Sequence, residues 1–344
     1  MSIMSAPAQL AKRVLPGVSV GSGYAPQGRQ SYDDTLRRLS QASTEVHFEA
    51  FRDVDWDNPE LAVDPHDERW MLPIVDPLGA HPWYRSLPKE RQIQIGRHRL
   101  VAMTKTGSQF EQLLLLGGTQ FLMGLKNENP EFRYFMHELT EETHHIQMFQ
   151  EFTNRACPEV SGAPAWLMRG IPWIGMLGSW WPTLFFQIIL AGEEPIDHLQ
   201  KDVLRAGGSH PLLNRIMAIH AAEEARHIGF AHAWLEHHTP SMNPVNKLAQ
   251  GLLVPLVLRL GFGAIVVPSK ADQQMMGIPD EVMREVFGSG NEEMNKVRRD
   301  VCADVRMLCE QVGILNALTR PVWRFWGVDG RAARYRSEPA TARA

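Results

Sequence analysis

Cysteine and tyrosine are scarce in this chain of 344 residues, which contains 3 cysteines and 5 tyrosines. Cys157, Cys302 and Cys309 are too few and too far apart for a disulfide framework or a four-thiolate zinc site. We therefore expect a reducing, cytoplasmic setting. The formal net charge of −4 provides no basic footprint for nucleic acid. The N-terminus also lacks the basic and apolar segments of a signal peptide.

Uncharged apolar runs are few, and two of them are long enough to be tested as membrane spans. Residues 171–192 carry no charge, but Pro172 and Pro182 interrupt them and two glutamates follow at once. Residues 248–267 contain Pro255 and an arginine. A helix that is apolar all round is also typical of a protein core. We expect both runs to be buried and no stable membrane insertion.

Strand-like alternation is lacking as well, and the remaining pattern is helical. The fold class expected is all-α, a four-helix bundle with additional helices. We expect a flexible arm at 1–45, a single domain at 46–330 with a metal-binding bundle at about 91–238, and a disordered tail at 331–344. Long helices are expected from Lys89, at 130–155, at 183–206, at 211–238 with Ser209 as N-cap, at 245–263 and at 291–318.

The bundle helices carry glutamate and histidine inside apolar sequence. Residues three apart share a helix face, so each Glu-x-x-His pair can reach one metal ion. Two such pairs, with one glutamate from each of two other helices, form the ligand set of a di-iron carboxylate bundle. Hard oxygen and nitrogen ligands suit iron or manganese rather than structural zinc. The candidates are Glu111, Glu142 with His145, Glu193 or Glu194, and Glu224 with His227, with His220 on the same face.

Several choices of register remain open at this point. Glu141 with His144 is an alternative pair on the second helix, although the apolar face favours Glu142 with His145. Glu223 precedes Glu224, but only Glu224 is three residues before His227. Periodicity does not decide between Glu193 and Glu194. Asp197 is either a partner of a ligand histidine or an ordinary surface aspartate.

These strings resemble a known family. EETHHIQMF, the glutamate in FEQLL and the pattern H-x-x-x-E-x-x-H look like the di-iron para-aminobenzoate N-oxygenases, a ferritin-like group of arylamine oxygenases. The resemblance is closest at 91–238. It implies the metal ligands Glu111, Glu142, His145, Glu193, His220, Glu224 and His227, with no catalytic residue beyond the metal centre. His220 is the family's additional histidine, and its spacing favours Glu193 over Glu194.

The resemblance implies an O2-dependent oxygenase that holds two iron ions, with manganese as the alternative metal. It would oxidise the nitrogen of an aromatic amine through a peroxo-di-iron intermediate. Alternatives on the same bundle are a hydroxylase or desaturase for another apolar substrate and a ferritin-like ferroxidase. The expected partners are a small aromatic or apolar substrate and an external electron donor, such as a reductase or ferredoxin-like protein, because GxGxxG is absent. A homodimer is also allowed.

The remaining candidates concern the substrate. Large side chains between the second and third helices would line an apolar pocket or simply pack in the core: Trp166, Trp173, Trp180 and Trp181. Three arginines near the C-terminus are candidates for a bidentate carboxylate clamp or are ordinary surface residues: Arg298, Arg306 and Arg320.

Overall fold

Proline and a side-chain cap fix the start of most of the long helices. The structure is a computed structural model that describes residues 31–336. In the second long helix, Asn129 accepts a hydrogen bond from the backbone N–H of Glu131, and Pro130 occupies the first turn. Pro182, Pro211 and Pro244 hold the same position in three later helices. Proline fits there because the first N–H groups of a helix have no intrahelical acceptor.

The described residues form fifteen α-helices with short 3₁₀ turns and no strand. They are α1 (Tyr32–Glu45), α2 (Pro77–Ala80), α3 (Pro82–Ser86), α4 (Lys89–Met123), α5 (Pro130–Ala156), α6 (Ala165–Gly175), α7 (Leu177–Trp180), α8 (Pro182–Ala206), α9 (Pro211–His238), α10 (Pro244–Val266), α11 (Lys270–Met276), α12 (Asp280–Phe287), α13 (Glu292–Val301), α14 (Ala303–Gln311) and α15 (Arg320–Phe325). The expected all-α class is confirmed.

Four helices form the bundle that positions the site. Helix α4 packs along α5, α8 packs along α9, and contacts of α4 with α8 and of α5 with α9 close the square. The remaining helices cover this bundle, with α1 against α5 and α10 against α8. The expected ferritin-like four-helix bundle with additional helices is therefore present. The expected division into arm, domain and tail stays a prediction, and residues 1–30 and 337–344 lie outside the described part.

Two details of the expected helices are wrong. Helix α9 is capped by His210 and not by Ser209: the His210 ring stacks on Trp70 at 4.1 Å, and its Nδ1 accepts from the N–H of Leu212. The single helix expected at 291–318 is two helices, α13 and α14. The second of them stops before Gly313, whose φ of 80° is not helical.

A cluster of aromatic rings fills one end of the bundle. Phe121 of α4 and Phe135 of α5 pack edge to face at 5.3 Å. Phe186 of α8 and Trp234 of α9 pack at 4.5 Å, and Phe121 touches both. Each of the four bundle helices contributes one ring to this cluster. Burial of the aromatic surface stabilises the packing of the four helices against one another.

The two uncharged runs differ from expectation in part. Residues 171–192 are divided among α6, α7 and α8, and Trp173 and Trp180 are exposed. Within the described residues one stretch, Pro244–Met276, is long and apolar enough to cross a membrane, and 44% of its most apolar window is buried. Helix α10 buries Val254 and Leu258 but exposes Leu248. The expectation of a buried helix therefore holds for one face only.

Replacing Gly178 with alanine is expected to destabilise the protein. A Cβ atom at Gly178 would lie 1.9 Å from the carbonyl oxygen of Gly117, so α7 would have to move away from α4. Such overpacking costs about 1–3 kcal/mol. Gly170 is the matched control, because a Cβ there meets only Ile174 at 3.6 Å and alanine favours the helix by up to about 1 kcal/mol. Urea unfolding should show G178A less stable than G170A, and equal midpoints would contradict the close approach.

Candidate metal centre

The bundle brings all seven residues expected at the site to one place. Each is at most 8% exposed, so the polar groups are buried away from most of the solvent. The contributors are Glu111 from α4, Glu142 and His145 from α5, Glu193 from α8, and His220, Glu224 and His227 from α9. Helical spacing explains the convergence, because residues three or four apart project from one face of each helix.

The potential ligand atoms form two groups that share one histidine. Atoms of Glu142, His145, Glu224 and His227 all lie within 4.8 Å of one another, and so do atoms of Glu111, His145 and His220. A metal ion binds such atoms at about 2.0–2.2 Å. The arrangement therefore provides two adjacent positions for cations.

The choice between the paired glutamates on α8 is decided by the packing. Glu193 lies beside Glu224, and burial together with this neighbouring carboxylate raises the pKa of Glu193 well above its usual value. Glu194 instead pairs with His232, away from the cluster. Glu193, which the family resemblance favoured, therefore lies in the cluster, whereas Glu194 does not.

Each histidine of the cluster places one ring nitrogen inward and bonds the other to an outer acceptor. Such an acceptor fixes the ring and leaves the inner nitrogen free to bind a metal. The outer acceptors are Glu223 Oε2 for His145 at 2.9 Å, Gln200 Oε1 for His220 at 3.0 Å and Glu141 Oε2 for His227 at 2.7 Å. The inner nitrogens face Glu142, Glu111 and Glu142, respectively.

The structure also distinguishes Glu142 from Glu141 and Glu224 from Glu223. Glu141 and Glu223 are buried, yet they turn toward histidines of another helix and not toward the two positions. Arg226 lies 2.9 Å from Glu141 and 3.5 Å from Glu223, and the backbone N–H of Phe48 donates to Glu223. The half-buried His144 lies outside both groups. Sequence reasoning missed these roles because they are contacts between helices.

Negative charge dominates the site. Burial of unpaired carboxylates is costly, and a buried cation removes that cost. Within the described residues, several buried atoms have no hydrogen-bond partner: Glu111 Oε2, Glu142 Oε1, Glu193 Oε2, Glu224 Oε1 and His227 Nδ1. His227 Nδ1 lies 2.7 Å from Glu142 Oε1, but not in the direction of a hydrogen bond. Oxygen and nitrogen donors with unused lone pairs fit iron or manganese.

Glu138 was missed by the sequence analysis. It lies one turn before Glu142 on the same face of α5 and is 2% exposed, and its Oε2 has no hydrogen-bond partner among the described residues. Burial raises the pKa of Glu138 well above its usual value, and the charges of Glu142 and Glu224 add to this effect. The spacing of four residues from Glu142 was the signal that could have found it.

An apolar cavity of about 130 Å³ adjoins the site. At one end it reaches Gln200, the acceptor of His220, and Phe149, whose ring lies 4.9 Å from the His220 ring. Arg99 also lines it, and the guanidinium binds Asp76 and the carbonyl of Val266. The second terminal nitrogen of Arg99 is buried and unpartnered within the described residues, so it can donate to a ligand.

The substrate residues suggested by the sequence take other places. Asp197 accepts from Lys201 and not from a ligand histidine. Trp166, Trp173 and Trp180 are exposed, and none of them lines the cavity. The three C-terminal arginines bind groups of their own region: Arg298 the carbonyl of Gly327, Arg306 the carbonyl of Val328, and Arg320 Asp329.

The histidine register can be tested by metal content. We expect about two metal ions per chain in the iron-loaded protein and a loss of bound metal in His145→Ala, because His145 belongs to both groups of ligand atoms. His144→Ala is the matched control, one residue away, and should retain the metal. Metal analysis of the purified proteins measures both. Full metal content in H145A would refute the assignment.

The metal-free protein should lose stability with rising pH because of Glu111. Burial, opposed in part by the His220 hydrogen bond, raises the pKa of Glu111 from 4.5 to about 7. Because the pKa is raised in the folded chain, Glu111 makes its full contribution to the free energy of unfolding below pH 4.5. That contribution is lost as the pH rises through 7. Glu111→Gln should reduce the fall in unfolding free energy between pH 5 and pH 8 by up to about 3 kcal/mol.

The control for this pH measurement is Glu236→Gln, because Glu236 is exposed on α9 and loses the same formal charge. Chemical unfolding of the chelator-treated proteins at both pH values gives the comparison. The E236Q protein should follow the wild type. If E111Q also follows the wild type, Glu111 does not resist ionisation in the folded chain.

The family of the chain is identified by comparison with known proteins. Residues 29–313 match the family described as P-aminobenzoate N-oxygenase AurF. Uncharacterized proteins of Mycobacterium tuberculosis and Mycobacterium bovis are 44% identical over 309 residues, which cover 90% of this chain and 91% of each relative. The crystal structure of the dimanganese(II)-NrdF of Streptococcus sanguinis is similar at a TM-score of 0.46 and 10% identity, over 90% of this chain and 99% of that one. The chain belongs to the P-aminobenzoate N-oxygenase AurF family.

Proposed function

We propose that this protein is an O2-dependent di-iron oxygenase for a small apolar organic substrate, and that its reaction is the N-oxygenation of an aromatic amine. The observation that carries the proposal is the site itself. Three inward imidazole nitrogens and four carboxylates meet where the apolar cavity ends. Membership of the N-oxygenase family supports the aromatic amine as the substrate class.

The ligands named above would hold two iron ions, with manganese as the alternative. When bound and reduced, such ions supply the electrons that activate O2. The chain itself supplies the positions and a dry environment. Its outer acceptors fix the histidine rings, and the aromatic cluster and the covering helices exclude water. Burial raises the pKa of Glu138 well above its usual value, which favours a protonated carboxyl group beside the site.

Electrons must come from outside the chain under this proposal. In an N-oxygenation one oxygen atom of O2 enters the substrate and the other leaves as water, which consumes two electrons and two protons. The sequence has no nicotinamide or flavin fingerprint. A cytoplasmic reductase or ferredoxin-like protein is therefore the proposed donor.

A second substrate class is favoured by the shape of the cavity. Its lining is mostly aliphatic, and Phe149 is the one aromatic side chain among the described residues that line it. Arg99 lies about 18 Å before Glu111 along α4, which is farther than an aminobenzoate reaches. A longer apolar acid could place its carboxylate on Arg99 and a methylene group beside the metal ligands. Hydroxylation or desaturation of such an acid is the alternative reaction.

The proposal is tested by single turnover of the reduced iron-loaded protein with O2. We expect 4-aminobenzoate to yield hydroxylamino, nitroso or nitro product, detected by mass analysis with ¹⁸O2. A medium-chain fatty acid, tested in parallel, gives hydroxylated or unsaturated product if the second class is correct. The H145A protein is the control without a complete site. If iron(II) is oxidised but neither substrate is, both proposed reactions are contradicted and the ferroxidase alternative is favoured.

Substitution of Arg99 distinguishes between the two substrate classes. Arg99→Gln removes the unpartnered donor and should raise the KM for a fatty acid about tenfold, the effect of about 1.4 kcal/mol of lost binding. It should leave the KM for aniline unchanged, because aniline has no carboxylate. The KM for 4-aminobenzoate should also stay unchanged, since its carboxylate does not reach Arg99. An equal effect on all three substrates would show that Arg99 acts on the fold alone.

A further inference from the structure

A second cluster of metal-binding side chains lies away from the bundle centre. His98 of α4, Cys157 at the C-terminal end of α5 and Glu159 in the following loop bring one ligand atom each within 4.8 Å of one another. Cys157 follows His145 by twelve residues, which is about 18 Å along α5. The cluster is therefore separate from the carboxylate–histidine centre, and the function proposed above does not use it.

His98 is held in the orientation of a metal ligand. Its Nε2 lies 2.9 Å from Asp272 Oδ1, and both residues are buried. Asp272 also accepts from the backbone N–H of Ser161 and from the hydroxyl of Ser269, so its position is fixed. An Nε2–H donated to this carboxylate leaves the lone pair on Nδ1, which faces Cys157. Carboxylate, histidine and metal in this order are the usual arrangement around zinc.

The distances suit a tetrahedral ion. His98 Nδ1 and Cys157 Sγ are 3.6 Å apart. A tetrahedral zinc ion, bound to sulfur at about 2.3 Å and to nitrogen at about 2.0 Å, requires a separation of about 3.5 Å between these atoms. Thiolate, imidazole and carboxylate are all zinc ligands. A fourth position remains for water.

The net charge of this second cluster and its access to solvent both suit a divalent cation. Asp272, Glu159 and a Cys157 thiolate would carry three negative charges, and Arg97 beside them carries one positive charge. Two negative charges then remain for the ion to neutralise. Glu159 is exposed, whereas Cys157 is 2% exposed. An ion can enter past Glu159 and be held by the buried pair.

The same cluster does not suit a nucleophilic cysteine. Burial, with the carboxylate of Glu159 beside the thiol, raises the pKa of Cys157 to about 12. The thiol is therefore protonated at neutral pH, and a substrate cannot reach it. A metal ion would displace that proton, as it does in other thiolate sites.

We propose that His98, Cys157 and Glu159 form a structural zinc site, with Asp272 positioning His98. The ion would join α4 to the loop that follows α5 and, through Asp272, to α11. These three segments are far apart in the sequence, so the ion would restrict the unfolded chain and stabilise the folded one. Zinc should raise the unfolding temperature, since it binds the folded chain selectively.

Cobalt(II) tests the site in the full chain after removal of metal with a chelator. A thiolate bound to cobalt(II) gives a charge-transfer absorption in the near ultraviolet. The carboxylate–histidine centre cannot give this absorption, because it contains no thiolate. We expect the absorption in the wild type, its loss on addition of zinc and its absence in Cys157→Ser. Cys302→Ser is the matched control, since Cys302 is buried and belongs to no metal-binding group of the described residues.

Two further variants cover the case in which C157S does not fold. Glu159→Gln changes an exposed residue and should keep the absorption but weaken cobalt binding about tenfold or more. Asp272→Asn should weaken it by about 10–100-fold, the usual effect of losing the partner of a metal-bound histidine. The site is refuted if the wild type lacks the absorption, if C157S keeps it, or if E159Q binds cobalt as tightly as the wild type.

Discussion

Repulsion among buried carboxylates is the constraint on which the rest of this structure depends. Seven glutamate side chains lie in the middle of the bundle: Glu111, Glu138, Glu141, Glu142, Glu193, Glu223 and Glu224. Three histidines and Arg226 offset only part of this charge. A protein interior does not stabilise such a group without cations. The surplus of unpartnered oxygen atoms is therefore the clearest sign that the bundle is built to hold metal.

The features around the centre follow from this constraint. The aromatic cluster and the proline-started helices keep four helix faces at a spacing that lets the side chains meet. The outer acceptors keep the rings turned inward, and Phe48 connects the N-terminal segment to one of them. The zinc site proposed at Cys157 would join the N-terminal part of α4 to the C-terminal end of α5, away from the carboxylate–histidine centre. Each of these elements limits motion of the ligands rather than adding a reacting group.

The cavity restricts the possible reactions of the site more than the candidate ligands do. The same ligand set can serve storage of iron, radical formation or oxygenation, and fold does not choose among them. The cavity ends beside Gln200 and Phe149, so the proposed organic substrate would lie near the candidate metal ligands. Arg99 lines the end of the cavity that is distant from the candidate ligands, and most of the other lining residues are aliphatic. The length and the charge of the proposed substrate are therefore the properties to measure.

The sequence by itself determined the fold class, and together with the family resemblance it predicted the seven candidate ligands. Helical spacing alone places Glu142 with His145 and Glu224 with His227 on common faces, and Pro130 and Pro211 mark where these two helices begin. From spacing alone the sequence could not choose between Glu193 and Glu194, because adjacent residues on a helix differ by only about 100°, and only the family resemblance favoured Glu193. It also missed Glu138, Gln200, Arg99 and the capping His210. Their roles depend on neighbours from other helices, and such contacts exist only after the bundle is packed. Tertiary structure therefore decided which carboxylates face the candidate metal positions, which hold the histidines, and where the apolar cavity lies.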